Sequence, residues 1–118
     1  MSISYPLRLR ALQLQLHRVS AEQARYAATL PWSAEPLPGW PASEHRHSHR
    51  GAVPPSPGYT PDQAAEIARL RRRTLRLAEA ISAHPHWATV EREQLVAARM
   101  GLKRVTTCTD DAAGDAAA

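Results

Sequence analysis

The chain has 118 residues, a formal net charge of +4 and 43% hydrophobic residues, with three Trp and no Phe. This length allows one domain at most, and so few large apolar residues make a thin core, which favours association with another helix or a second copy. A single cysteine, Cys108, excludes an intrachain disulfide, and no stretch approaches the roughly 18 apolar residues of a membrane span. The first residues show no secretory signal pattern, so we expect a cytoplasmic protein.

The charge is unevenly distributed along the chain. Asp110, Asp111 and Asp115 are the only charged residues after position 104, so the preceding residues carry +7 against +4 for the whole chain. This excess is enough to attract a polyanion at low salt.

A first helix is predicted over residues 6–30. Apolar side chains recur there at steps of three and four, with one polar interruption at Gln23; they are Leu9, Leu12, Leu16, Val19, Tyr26 and Leu30. Leu7 and Leu14 fall on the opposite side. A helix with two apolar sides is either enclosed in the fold or offers one side to a partner, so both leucines are candidate interaction residues.

Residues 31–59 form a predicted extended linker, because seven of the ten prolines lie there. Trp32 and Trp40 lie inside this linker and are further candidate interaction residues. In one interpretation their rings fold back over the apolar side of the helices. In the other, the segment 36–41 is a proline-rich ligand for an aromatic-lined groove of another protein.

A second long helix is predicted from Pro61 to about Ala83, where Pro85 stops it. Thr60 and Gln63 have the spacing of a capping box, and proline suits the first helical position. Its apolar stripe has an average step of 3.5 residues, typical of a helix that lies along another helix; the stripe is Ile67, Leu70, Thr74, Leu77 and Ile81.

Basic residues occupy the opposite side of this second helix. At 100° per residue, Arg69, Arg72 and Arg76 lie together there. Such a face can clamp phosphates or carboxylates, although a solvated face balanced by nearby glutamates has the same pattern. The candidate residues for an anionic partner are Arg69, Arg72, Arg73, Arg76, Lys103 and Arg104.

A shorter third helix is predicted within residues 86–104, followed by a disordered acidic tail over 105–118. Trp87 is expected to pack across the corner after Pro85. Thr89 is expected to cap the helix, and Gly101 to lie near its end.

The segment Val96–Lys103 resembles the first helix and turn of bacterial helix-turn-helix regulators. The resemblance covers eight residues and implies that a recognition helix follows. The next residues, 105–111, are instead rich in β-branched and acidic side chains, which are poor helix formers or repel phosphates. The sequence therefore does not predict sequence-specific DNA binding.

His45, His47 and His49 alternate along the linker and would place three imidazoles on one side of an extended strand. With His84 or His86 as a fourth ligand such a cluster can hold zinc, nickel or copper. The arginine neighbours oppose a cation and no cysteine pair assists, so we predict a solvated loop and no metal.

These patterns predict an all-α fold, an antiparallel hairpin of two long helices closed by a short third one. Leu9, Leu12, Leu16, Val19 and Tyr26 would face Ile67, Leu70, Leu77 and Ile81. No Gly-rich phosphate loop, framed nucleophile or carboxylate pair is evident, so neither an enzyme nor a cofactor is predicted. The expected function is binding to another protein or to itself, and the alternative is binding to nucleic acid through the arginine face.

Overall fold

A computed structural model describes residues 3–45 and 48–105. Three α-helices dominate it, which confirms the all-α prediction. The elements in chain order are α1 (Leu7–Ala27), β1 (Ser43–His45), β2 (Ser48–Arg50), α2 (Pro61–Ser82) and α3 (Leu95–Leu102). Within the described residues, no helix is long and apolar enough to cross a membrane.

The two long helices, α1 and α2, pack side by side and run in opposite directions. Near the C-terminal end of α1, the Thr74 hydroxyl donates a hydrogen bond to Gln23 Oε1 at 3.3 Å. Nearer its start, Leu16 packs against the buried cluster that contains Ile81 of α2. Later positions in α1 therefore meet earlier positions in α2, as the predicted antiparallel hairpin requires.

The N-terminus of α2 is held by the predicted capping box. The Gln63 backbone N–H donates to Thr60 Oγ1 at 3.1 Å, and the Thr60 N–H donates to Gln63 Oε1 at 2.9 Å. Pro61 occupies the first helical position. Two amides that helical geometry leaves unpaired are thus satisfied by local side chains.

The buried core lies where α3 closes the hairpin. Its buried cluster is Tyr5, Leu9, Leu12, Ile81, Trp87, Ala98, Leu102 and Val105. Val19, Ile67 and Leu70 are buried as predicted, Leu16 and Leu77 are partly buried against the cluster, and Tyr26 is only half-buried. Val105 was predicted to begin the tail, so the packed domain extends one residue further; residues 106–118 lie outside the described residues.

The start of the third helix differs from the prediction. Two 3₁₀ turns, Pro85–Thr89 and Arg92–Gln94, precede α3. Thr89 does not cap a helix, because its hydroxyl donates backwards to the His86 carbonyl at 2.7 Å. Val90, with φ −89° and ψ 134°, is extended and separates the turns. Competition from a local side-chain bond and an extended residue therefore delays the helix to Leu95.

Trp87 packs in the corner after Pro85, as predicted. It is buried, and its indole N–H donates to the Ile81 carbonyl at 2.6 Å. Gly101 lies in the last turn of α3, where a Cβ atom would come within 2.5 Å of the Tyr5 hydroxyl. That hydroxyl donates to the Ala98 carbonyl at 2.7 Å, so the glycine makes room for a buried hydrogen bond between the start of the chain and α3.

The linker is a paired excursion of the chain. Leu37 and Ser56 exchange backbone hydrogen bonds of 3.0 and 2.8 Å, and β1 pairs antiparallel with β2 further out. A side chain at Gly39 would collide with the Val53 carbonyl, so close approach of the two segments requires glycine there. Proline density thus excluded a helix correctly without excluding backbone pairing.

We expect the Thr60→Ala variant to lose about 1 kcal/mol of unfolding free energy, because it removes an acceptor for a helix amide. Thr60→Gly should lose only about a few tenths of a kcal/mol of unfolding free energy, since glycine is tolerated at the capping position. Urea unfolding followed by circular dichroism measures both changes. An equal loss in the two variants would contradict a capping role for the hydroxyl.

Candidate functional site

Trp32 and Trp40 form an exposed aromatic pair in the linker. Their ring centroids are 5.4 Å apart with an interplanar angle of 72°, and they are 44% and 41% exposed. The Trp32 indole N–H donates to the Pro54 carbonyl at 2.8 Å, while Trp40 exchanges backbone hydrogen bonds of 2.8 and 2.9 Å with Val53. Both tryptophans are therefore held by the opposite segment of the linker.

The fold-back of these rings over the apolar side of the helices was one of two interpretations of the sequence, and it stays an interpretation. Neither tryptophan belongs to the buried cluster, and Leu37 in the same segment is also exposed. The bond to Pro54 and the edge-to-face contact keep the two rings on each other. What results is an apolar surface of the linker, here called the Trp pair (Trp32 and Trp40).

Leu7 and Leu14 have different environments, although the sequence placed them on one side of the first helix. Leu7 is 62% exposed, whereas Leu14 is only 9% exposed. Its predicted place on an open interaction surface is therefore wrong. Arg10 and Gln13 are buried too, so α1 is covered over more than the stripe that faces α2. The second apolar side of α1 is therefore enclosed at Leu14 and exposed at Leu7.

Arg69 is engaged with glutamates and does not stand free on the basic side of α2. Its guanidinium donates to both carboxylate oxygens of Glu66, with an Nε to Oε2 distance of 3.0 Å. Its Nη2 also lies 3.7 Å from Glu22 Oε1 of α1. The hydrogen bonds from Arg69 lower the pKa of Glu66, and the pKa of Arg69 is raised in turn. Arg69 thus connects the two long helices.

The other predicted basic residues fall into separate places. Arg72, Arg73 and Arg76 are exposed on α2 and form no ion pair with another described residue. Lys103 instead lines a groove between the helices, and Arg104 is exposed beside it without lining that groove. The structure therefore does not unite the six residues into one surface.

The groove contains about 420 Å³ and lies between α1, α2 and α3. Its apolar wall consists of Leu16, Ile81, Trp87 and Leu102. Arg99 and Lys103 supply two cations, and no acidic side chain of the described residues lines the groove. We call this the basic groove; its described lining is completed by Gln13, His17, Ser20, Ala78 and Ser82. Its size and mainly apolar lining are typical of small-molecule sites.

Sequence reasoning missed the basic groove because its walls come from distant parts of the chain. Gln13 and His17 stand on α1, whereas Arg99 stands on α3. The available signal was the spacing of Arg99 and Lys103, four residues apart and thus on one side of a helix.

The described part of the histidine segment belongs to two paired strands and not to the single extended strand of the metal interpretation. His45 ends β1 and His49 lies in β2, paired with Glu44 across the hairpin. His47 lies outside the described residues. Among residues 3–45 and 48–105, no group of three or more metal-binding side chains is assembled. The absence of a metal and the cytoplasmic location both stay predictions.

Replacing Arg69 should raise the pKa of Glu66, since the hydrogen bonds that favour its charged form are lost. A carboxyl whose pKa is lowered by folding stabilises the folded state at pH values above its unfolded-state pKa. This stability is lost as the pH falls through its folded-state pKa. We therefore expect Arg69→Gln, but not the control Arg72→Gln, to shift the Glu66 titration upward in a side-chain carboxyl NMR experiment. Equal titrations in both variants would contradict the pairing.

A comparison with known families places most of this chain in one of them. No curated protein and no solved structure matches it. Residues 8–105, which run from the first turn of α1 to the last buried residue of the core, match the model of a domain of unknown function, DUF8825. The chain belongs to the DUF8825 family.

Proposed function

We propose that this chain is a protein-binding module that associates with a second copy of itself or with another protein through the Trp pair. The observation that carries this proposal is the exposure of two adjacent tryptophans that the linker backbone holds in place. Large exposed rings are rarely left without a partner in soluble proteins. Neither the absence of catalysis nor that of a cofactor is tested by this surface, and both stay predictions.

The Trp pair has the physical properties of an interface centre. Trp is enriched among the few residues that dominate binding energies, because its ring buries a large area with only two side-chain torsions. The hydrogen bond from Trp32 to Pro54 reduces that freedom further. Binding then costs less ordering entropy than it would for two rings on a flexible linker.

Charge on α2 supports a partner with an acidic surface. Arg72 and Arg76 are one turn apart, exposed and without an ion pair among the described residues. Such unpaired charges accelerate association and select orientation more than they add affinity.

We expect the double variant Trp32→Ala/Trp40→Ala to weaken self-association by about thirtyfold or more, the effect of losing an interface centre. Sedimentation equilibrium of wild type and variant measures the change. Leu75→Ala is the matched control, because Leu75 is an exposed apolar residue that belongs to α2 and not to the linker.

Retained self-association in the double variant would contradict the choice of surface. A monomeric wild-type chain would exclude the second copy as partner, and the same three proteins would then be compared in cross-linking to candidate partners. Circular dichroism establishes that each variant keeps its helical content.

Nucleic-acid binding is the second candidate, and the three exposed arginines at positions 72, 73 and 76 favour it. They follow one another around a single side of α2, and none is neutralised by a described carboxylate. Phosphates of either strand would find this face accessible, without sequence selection.

We expect Arg72→Glu/Arg76→Glu to abolish binding to a short duplex at low salt if this second function holds. The control Arg25→Glu/Arg92→Glu has the same net charge but reverses exposed residues on other elements. Fluorescence anisotropy over a salt series measures both. Equal losses in the two variants would mean that net charge alone acts, which would contradict a defined interface.

A further inference from the structure

We propose that the basic groove binds a carboxylate-headed amphiphile, a small molecule with an apolar chain of about octanoate length. This inference goes beyond the proposed function, because the groove lies where α3 closes the hairpin, and the Trp pair lies in the linker at the other end of α1.

The apolar wall fits a hydrocarbon chain. Leu16, Ile81 and Leu102 line the groove together with the buried ring of Trp87. Positions 13 to 20 of α1 border it over a length of about 10 Å, from the rise of an α-helix. An alkyl chain laid along this wall leaves water on one side and contacts side chains on the other.

The charges of the groove select an anionic head. Arg99 and Lys103 are one helical turn apart, and both line the groove. Among residues 3–45 and 48–105, no Asp or Glu side chain lines the groove, so a bound carboxylate meets two cations from this part of the chain. Charge-assisted hydrogen bonds from these groups would be the strongest polar contacts of the site.

Arg99 is positioned before any ligand arrives. Its guanidinium carbon lies 4.5 Å from the centroid of the Trp87 ring, a cation–π contact. The ring is itself fixed by the indole hydrogen bond to Ile81. Because the arginine is held by an aromatic face and not by a carboxylate, its N–H donors stay available to a ligand.

A buried polar side chain points to the same site. Gln13 lines the groove and is only 4% exposed. Its Nε2 lies 3.4 Å from His17 Nε2, a long contact that leaves the amide with further hydrogen-bonding capacity. An amide retained in an apolar wall costs free energy unless it is used, which a polar ligand group would do.

NMR titration of the full chain with octanoate tests the proposal, with octylammonium and octanol as probes of equal length and different head. We expect saturable shifts of the Trp87 indole N–H and the Gln13 amide with octanoate. Affinity for octylammonium should be lower by at least about tenfold, because the same two cations repel its charged head. Equal affinities for the two charged probes would overturn the proposal, as would shifts confined to Trp32 and Trp40.

Two pairs of variants separate the head site from the chain site. Lys103→Glu should weaken octanoate binding about tenfold, whereas Arg104→Glu, exposed beside it outside the lining, should change it less than about twofold. Ala78→Leu should block the groove sterically, and Ala80→Leu on the exposed side of α2 should not. Unchanged binding in Lys103→Glu would overturn the proposal. This result decides the proposal even if Ala78→Leu fails to fold.

Discussion

The burial of Trp87 is the interaction on which the rest of this structure depends. Its ring packs between α1 and α3 in the buried cluster. Its indole N–H donates a hydrogen bond to the carbonyl of Ile81 near the end of α2. Through this residue the end of one helix sets the direction of the next. With no Phe in the chain, one ring of this size carries much of the large apolar burial at that corner. The same ring forms a wall of the basic groove and positions Arg99.

Local and periodic features were predictable from the sequence. The capping box at Thr60 and the buried stripe through Leu9 and Leu70 follow from spacing alone, because helical geometry fixes which side chains share a side. Leu14 shows the limit of this reasoning. Periodicity placed it on a second apolar side, but whether that side is covered depends on segments packed from elsewhere in the chain.

The candidate sites were less predictable, since they depend on contacts between distant segments. Glu66 and Arg69 are three residues apart, a spacing that favours an ion pair on one helix. The approach of Glu22 to Arg69 depends instead on the packing of α1 against α2. The Trp pair arises from backbone pairing of Trp40 with Val53, for which a proline-rich segment offers no periodic signal. The basic groove joins residues more than eighty positions apart and has no counterpart in any local pattern.

The contact of Tyr5 with Ala98 and Gly101 also has a consequence for how the protein is made. Tyr5 and Ala98 are 93 positions apart in the sequence. The core therefore closes only when both ends of the domain are present. During synthesis α1 leaves the ribosome long before α3, and its apolar residues must wait without their final neighbours. The helical hairpin can form early. The basic groove, the packing of Trp87 and the burial of Leu9 are completed last, because each requires α3.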